Sequence, residues 1–114
     1  YNANPTSMAA ALDALAELAA TRRFAVVGTM AELGPDGPTQ HRDVAARAEE
    51  LGIHLVAVAE PAYGVDGPDA VASSVGAVDR LRALGVGDGD VVLVKASRSA
   101  GLEAVADGLV ALAD

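Results

Sequence analysis

The sequence predicts an α/β fold: a Rossmann-like, three-layer domain in which a mostly parallel sheet is flanked by helices. Predicted strands alternate with predicted helices along the chain, which is typical of parallel sheets with crossover helices. These strands are apolar on both faces, as strands buried between two helical layers are. The chain has 114 residues and is 52% hydrophobic but 3% aromatic, so it has room for one aliphatic core. We therefore expect residues 1–114 to form a single domain.

The first predicted element is a helix from Pro5 to Ala20. Asn4 precedes it as an N-cap, and Pro5 fits the first helical position because it lacks only an N–H group that would be unpaired there. A buried strand follows at 23–28 and ends at a glycine. Apolar residues recur at helical spacing along the first helix, namely Met8, Leu12, Leu15 and Ala19.

The rest of the chain repeats this alternation of helix and strand. A loop rich in Gly and Pro leads to a helix predicted over 39–51, which Gly52 ends. A second apolar strand is predicted at 53–59, before another Gly/Pro loop at 60–68. The remaining predictions are a short strand at 70–73, a short helix at 75–84, a regular apolar strand at 90–95 and an amphipathic helix at 102–112.

The chain opens on a helix, whereas a doubly wound domain normally opens on a strand. We therefore expect the first strand of the sheet to lie upstream of Tyr1 and the chain to be a portion of a longer protein. Under this hypothesis, either the neighbouring strands close the gap or a strand from a second copy fills it.

Composition excludes several classes of function. A net charge of −8, with eight scattered Lys and Arg residues, disfavours nucleic acid and anionic membrane surfaces as partners. The chain contains no cysteine, so it has no disulfide framework, which fits the cytoplasm. No signal peptide and no apolar run of about 20 residues is visible. We expect a cytoplasmic, acidic, compact domain.

Polar residues stand where the predicted strands end, and ligands of open α/β sheets bind beyond the carboxyl ends of the strands. An opening loop at a helix N-terminus also favours anions, because free N–H groups and the helix dipole meet there. The alternative for that loop is a well-capped helix and nothing more. The candidates are Asn2 and Asn4 in the opening loop, Thr29 and Glu32 after the first strand, Glu60 after the second, and Lys95, Ser97 and Arg98 after the last apolar strand.

The group at the end of the last apolar strand has the strongest local chemistry. Lys95 offers a point charge to phosphate, Arg98 a bidentate fork to phosphate or carboxylate, and Ser97 a short donor. The alternative is a solvated loop whose cations offset nearby acids.

The two histidines and the missing motifs narrow the chemistry further. His41, near the start of the second helix, is a candidate general base or ligand, although an exposed lone histidine is more often inert. His54 opens a strand and is expected to be structural. The chain has no GxxxxGK[ST] loop, no GxGxxG, no metal-ligand spacing and no nucleophile elbow. Alone, it holds no complete active site.

Four stretches in this order resemble the C-terminal domain of the Mur ligase family, most closely its MurF branch. Residues 1–5 read YNANP, residues 28–34 read GTMAELG, residues 41–42 read HR, and residues 95–98 read KASR. Two residues depart from the family pattern: Thr29 stands where an acidic residue is usual, and Ala96 replaces the glycine of KGSR. The resemblance covers essentially the whole chain.

The resemblance implies the third, closing domain of a cytoplasmic peptidoglycan-precursor ligase with a Rossmann-like fold. Its partners would be UDP-N-acetylmuramoyl-tripeptide, D-Ala-D-Ala and ATP, and ATP with Mg²⁺ would be held mainly by a central domain absent from this chain. ATP would phosphorylate the terminal carboxylate of the peptide, and the dipeptide amine would attack the acyl phosphate. The site residues it implies are Asn2, Asn4, Lys95, Ser97 and Arg98, with Tyr1, Thr29, Glu32 and His41 as further candidates.

Three interpretations stay open on the sequence alone. The chain is the third domain of a MurF-type ligase, inactive by itself; or a stand-alone anion- or nucleotide-binding Rossmann-like module; or a non-catalytic interaction domain whose polar motifs are relics.

Overall fold

The computed structural model describes residues 3–96, which form a parallel sheet with helices on both faces. The helices are α1 (Pro5–Glu17), α2 (Gly37–Glu50) and α3 (Ser74–Ala83). The strands are β1 (Arg23–Val27), β2 (His54–Val58), β3 (Ala70–Val71) and β4 (Val91–Lys95). Short 3₁₀ turns lie at Gly34–Asp36, Pro61–Tyr63 and Gly67–Asp69.

The sheet confirms the predicted fold class. Its strand order is β3-β2-β1-β4, and every adjacent pair is parallel. Ala25, at the middle of β1, pairs with Leu55 on one side and Leu93 on the other. The strands of residues 3–96 are contiguous, so no gap lies between them for a second copy to fill.

Two apolar clusters, one on each face of the sheet, hold the layers together. The first joins side chains of α1 and α2, such as Met8 and Val44, to alternate residues of β1 and β2. The second joins α3, through Ala77 and Leu81, to the other residues of the same strands, including Phe24. Because successive side chains of a strand point to opposite faces, a strand apolar at every position serves both clusters.

The end of α1 and the start of α2 differ from the prediction. α1 ends at Glu17, not at Ala20, because Leu18 has an extended backbone and the Arg23 guanidinium donates to the carbonyls of Leu15 and Leu18. The Leu15 carbonyl also accepts from the Leu18 N–H, whereas the Leu18 carbonyl lies beyond the last helical turn and is bound by Arg23. α2 begins at Gly37, two residues earlier than predicted, as a continuation of the preceding 3₁₀ turn. The helix predicted at 102–112 lies outside the described residues.

Arg22 links the start of β1 to the α3–β4 turn at the amino edge of the sheet, where the parallel strands begin. Its guanidinium donates to the Asp90 carboxylate and to the carbonyls of Leu84 and Gly85. The hydrogen bond from Arg22 makes the largest contribution to holding the pKa of Asp90 below its ordinary value, and the hydrogen bond from the Gly87 N–H makes the next largest. Since a lowered carboxyl pKa means the folded state prefers the charged form, this contribution is present at neutral pH and is lost as pH falls through that lowered pKa.

The amino edge also provides a test of backbone geometry. Replacing Gly89 with alanine is expected to cost about 1 kcal/mol more than replacing Gly85, although both glycines have positive φ, at 87° and 73°. A Cβ on Gly89 would lie 2.6 Å from Thr21 Oγ1 and force that side chain from its rotamer, whereas a Cβ on Gly85 meets nothing within 4 Å. Urea unfolding of both variants measures the difference.

Thr21→Ala in the Gly89→Ala background is the control for that clash. The double variant should recover most of the difference in unfolding free energy, because the Thr21 hydroxyl that clashes with the new Cβ is removed. Equal losses at the two glycines, or no recovery in the double variant, would contradict the predicted clash.

Candidate functional site

The carboxyl edge of the sheet gathers the polar loops that the sequence singled out. Because β1, β2 and β4 are parallel, the segments that follow them meet at this edge. The N–H of Gly28, just after β1, donates to the carbonyl of Lys95 at the end of β4 (3.2 Å). The loop that carries Thr29 therefore starts beside Lys95.

The start of α1 lies at this edge as well. Arg23, the first residue of β1, binds the carbonyls at the C-terminal end of α1, so that end lies at the amino edge and the N-terminus at the opposite one. Ala3, just before the helix, is buried in the same cluster as Met30 and Tyr63. Ala3 thus shares one apolar cluster with the loop that follows β1.

Asn4 is the N-cap of α1, as predicted. Its Oδ1 accepts a hydrogen bond from the Ser7 N–H (2.8 Å), and the Ser7 hydroxyl accepts one from the Asn4 N–H (3.2 Å). This reciprocal pair is a capping box, which satisfies two N–H groups at the helix start. The side-chain oxygen is therefore committed to the helix, and what Asn4 offers a ligand is its amide NH₂ group.

His41, on the first turns of α2, is buried and fully hydrogen-bonded. Only 4% of the residue is exposed, which corrects the expectation of an exposed histidine. Nδ1 lies 2.6 Å from the Gly37 carbonyl, and Nε2 lies 2.9 Å from the Met30 amide nitrogen. A carbonyl only accepts and an amide N–H only donates, so Nδ1 carries the proton and Nε2 is the acceptor. His41 is thus a neutral imidazole whose two ring nitrogens bind main-chain groups of α2 and of the β1–α2 loop (residues 28–36).

Tyr63, in the 3₁₀ turn after β2, binds the same loop. Its hydroxyl donates to the Gly28 carbonyl (2.6 Å), and its ring meets the His41 ring edge-on with centroids 4.9 Å apart. Burial, and then the charge of Glu60, raise the pKa of Tyr63 above its ordinary value. The phenol therefore keeps its proton and remains a donor.

Glu60 belongs to this cluster without forming an ion pair. Its side chain accepts from the Ala62 N–H (3.1 Å) and so caps the turn that holds Tyr63. The other carboxylate oxygen lies 3.7 Å from His41 Nε2, beyond hydrogen-bond distance. Glu60 was a candidate by its position after the second strand alone; its cap is visible only in the structure.

The β1–α2 loop forms one wall of an open cleft of about 310 Å³. Glu32 in this loop has φ of 62°, and Ala59, next to Glu60, has φ of 53°. A left-handed backbone costs a non-glycine residue about 1–3 kcal/mol, and such strain concentrates at functional sites. The residues lining the cleft are 29–34, Gly37, Pro38, His41, Glu60 and Ala62.

The structure brings some of the predicted site residues together and leaves others apart. Thr29, Glu32 and His41 line the cleft. Asn4 and Lys95 lie on the same edge of the sheet, outside that lining. Tyr63, which holds the loop, was missed; the one available signal was an aromatic residue in a Gly/Pro loop of a chain nearly devoid of aromatics. Predicted residues outside the described range are Tyr1, Asn2, Ser97 and Arg98.

Two features are absent from residues 3–96. Within that range, no three His, Cys, Asp or Glu side chains converge to hold a metal ion. Nor does any helix there have the length and apolar character needed to cross a bilayer.

The family model and the curated relatives that match this chain agree on one family. The family model for the Mur ligase, glutamate ligase domain, matches residues 1–98. A UDP-N-acetylmuramoyl-tripeptide–D-alanyl-D-alanine ligase of Mycobacterium tuberculosis is 44% identical over 97% of this chain and 28% of its own length. The ligase of the same name from Escherichia coli is 36% identical over 96% of this chain and 25% of its own.

A solved structure shows the same architecture. The crystal structure of MurF ligase from Thermotoga maritima, in complex with ADP, superposes with a TM-score of 0.72 at 29% identity. The match covers 95% of this chain and 26% of the Thermotoga maritima chain. The chain spans about a quarter of the length of the curated relatives it matches.

Proposed function

The chain belongs to the Mur ligase family and corresponds to the C-terminal domain of its MurF branch; from this premise we propose that it is the closing domain of an ATP-dependent ligase. The ligase would join D-Ala-D-Ala to UDP-N-acetylmuramoyl-tripeptide. The observation that carries this proposal is 44% identity along 97% of the chain to a ligase of that name. The use of ATP supports placing the reaction in the cytoplasm.

The chemistry has two steps. The terminal carboxylate of the tripeptide takes the γ-phosphoryl group of ATP, and ADP leaves. The dipeptide amine then attacks the acyl phosphate, an amide bond forms, inorganic phosphate leaves and the amine gives up a proton. Catalysis of this kind depends mainly on positioning and on stabilising charge, which suits a domain that closes over its substrates.

The carboxyl edge of the sheet is the surface that would face the substrates. Lys95, Ser97 and Arg98 would hold anionic groups, either the dipeptide carboxylate or phosphates, and Asn2 and Asn4 would hydrogen-bond ATP or substrate. ATP and Mg²⁺ would be bound mainly by a central domain outside this chain, which spans 28% of the length of the Mycobacterium tuberculosis relative. The isolated domain would then be inactive, because it lacks a phosphate loop.

Asn4 provides a test that separates helix capping from ligand binding. Asn4→Ser keeps a capping oxygen and removes the NH₂ group, so it should preserve stability yet lower kcat/KM of the full-length ligase about tenfold to a hundredfold. Asn4→Ala removes both and should also cost about 1 kcal/mol of unfolding free energy. Steady-state ligation assays and thermal unfolding measure the two effects. Wild-type kcat/KM in Asn4→Ser would contradict the binding role, and absence of D-Ala-D-Ala ligation by the wild-type protein would refute the proposed function.

A further inference from the structure

Two buried side chains, His41 and Tyr63, hold the loop between β1 and α2. Neither has a role in the ligase chemistry proposed above. Met30, in the middle of the loop, is 2% exposed, and its N–H is bonded to His41 Nε2. The carbonyl of Gly28, at the start of the loop, is bonded to the Tyr63 hydroxyl. The loop is therefore fixed at two main-chain points from the side facing the core.

The cleft lies directly beside those attachments, because His41 and Met30 are among its lining residues. Thr29, Met30 and Glu32 all line the cleft, and Glu32 keeps a left-handed backbone there. A strained loop persists only where its surroundings hold it. If the Met30 N–H lost its acceptor, a buried donor would be left unpaired, and the loop would gain by moving to reach water.

We propose that His41 is a positioning residue: as a neutral imidazole with its proton on Nδ1, it holds the β1–α2 loop in the one conformation that receives the D-Ala-D-Ala dipeptide. This inference rests on the proposed ligase function and adds the residue that organises the loop beside Lys95, which is proposed to meet the dipeptide carboxylate or phosphates. Tyr63 is its partner, acting at Gly28. Because His41 is 4% exposed and its Nε2 accepts from the Met30 N–H, it acts through the Met30 main chain.

A pair of nearly isosteric substitutions tests the role of the acceptor. In the full-length protein, His41→Gln retains an oxygen able to accept from the Met30 N–H, while His41→Met retains the volume and loses the acceptor. Loosening the loop reduces the fraction of protein competent to bind, so KM for the dipeptide should rise about tenfold to a hundredfold in His41→Met. It should stay within about threefold of the wild type in His41→Gln, and KM for the UDP-linked substrate should be unchanged in both.

Val44→Ala is the matched control for stability. Val44 lies one turn further along α2, is buried in the same cluster and does not line the cleft. Its truncation weakens the same helix, which lowers the amount of folded enzyme but leaves KM unchanged. If His41→Met behaves like Val44→Ala, with lowered stability and an unchanged dipeptide KM, the role of His41 is structural only and the inference is wrong.

A second measurement does not depend on activity. The ¹⁵N chemical shifts of the His41 ring should show a neutral imidazole protonated on Nδ1, and the Met30 amide should exchange slowly in the wild type and faster in His41→Met. A ring protonated on Nε2, or a Met30 amide that exchanges equally in both, would overturn the inference. If the wild-type protein fails to ligate D-Ala-D-Ala while these two signatures are present, the proposed function fails and the fixed loop stands.

Discussion

Replacing Lys95 with methionine in the full-length ligase is expected to lower kcat/KM by about two to three orders of magnitude. Lys95 ends β4 at the carboxyl edge, beside the start of the β1–α2 loop. Its ammonium group is proposed to meet the anionic groups of the acyl-phosphate step, where a fixed charge is most effective. The hydrogen bond from the Gly28 N–H is made to the main-chain carbonyl, so the substitution removes the charge and keeps that link between strands.

Two further variants make the Lys95 result interpretable. Lys95→Arg restores the charge and should recover a large part of the activity, although an Arg fork has different geometry. Arg47→Met removes an exposed cation that pairs with Asp13 on the surface, and it should leave kcat/KM unchanged. Steady-state kinetics with each of the three substrates varied in turn would show the change. A kcat/KM for Lys95→Met within about threefold of the wild type would contradict the assignment.

The largest effect on stability is expected for Phe24→Ala, a loss of about 3–5 kcal/mol of unfolding free energy. Phe24 is the single phenylalanine of the chain and is 2% exposed, in the cluster between the sheet and α3. Its ring also lies 5.1 Å from the Arg22 guanidinium carbon and 5.5 Å from the His54 ring. A loss of that size is a large share of the roughly 5–15 kcal/mol that stabilises a typical domain.

Urea unfolding followed by circular dichroism would measure this loss. Phe24→Leu, which leaves a smaller cavity, should lose clearly less than Phe24→Ala. Val75→Ala is the exposed counterpart: Val75 is 69% exposed on α3, so the change should stay within about 0.5 kcal/mol. A loss for Phe24→Ala below about 1 kcal/mol would show that this cluster does not carry the stability we assign to it.

The helices and strands of residues 3–96 were predictable because their signals are local. Apolar side chains at helical spacing marked α1, and strands apolar at every position marked a sheet covered on both faces. The end of α1 was not predictable in this way. It is set by Arg23, whose guanidinium reaches back to the carbonyl of Leu18, and no property of residues 18–20 encodes that contact.

His41 shows the same limit at the candidate site. The sequence placed it near the start of a helix and therefore suggested an exposed group, whereas the loop carrying Met30 folds over it. Tyr63 was missed because the carbonyl it binds lies 35 residues away along the chain. Neither partner can be inferred from spacing, since parallel strands bring together segments that are far apart in sequence.

The sequence by itself determined the fold class, the capped start of α1 and the edge of the sheet where the polar loops gather. These follow from side-chain periodicity, from the preference of Asn and Pro for a helix start, and from the rule that parallel strands end on one side. Only the tertiary structure decided which nitrogen of His41 carries the proton and which loop His41 holds. The physical reason is that a tautomer is fixed by hydrogen-bond partners: Gly37 is a local partner within α2, but Met30 reaches the ring only when the loop after β1 has folded over the helix.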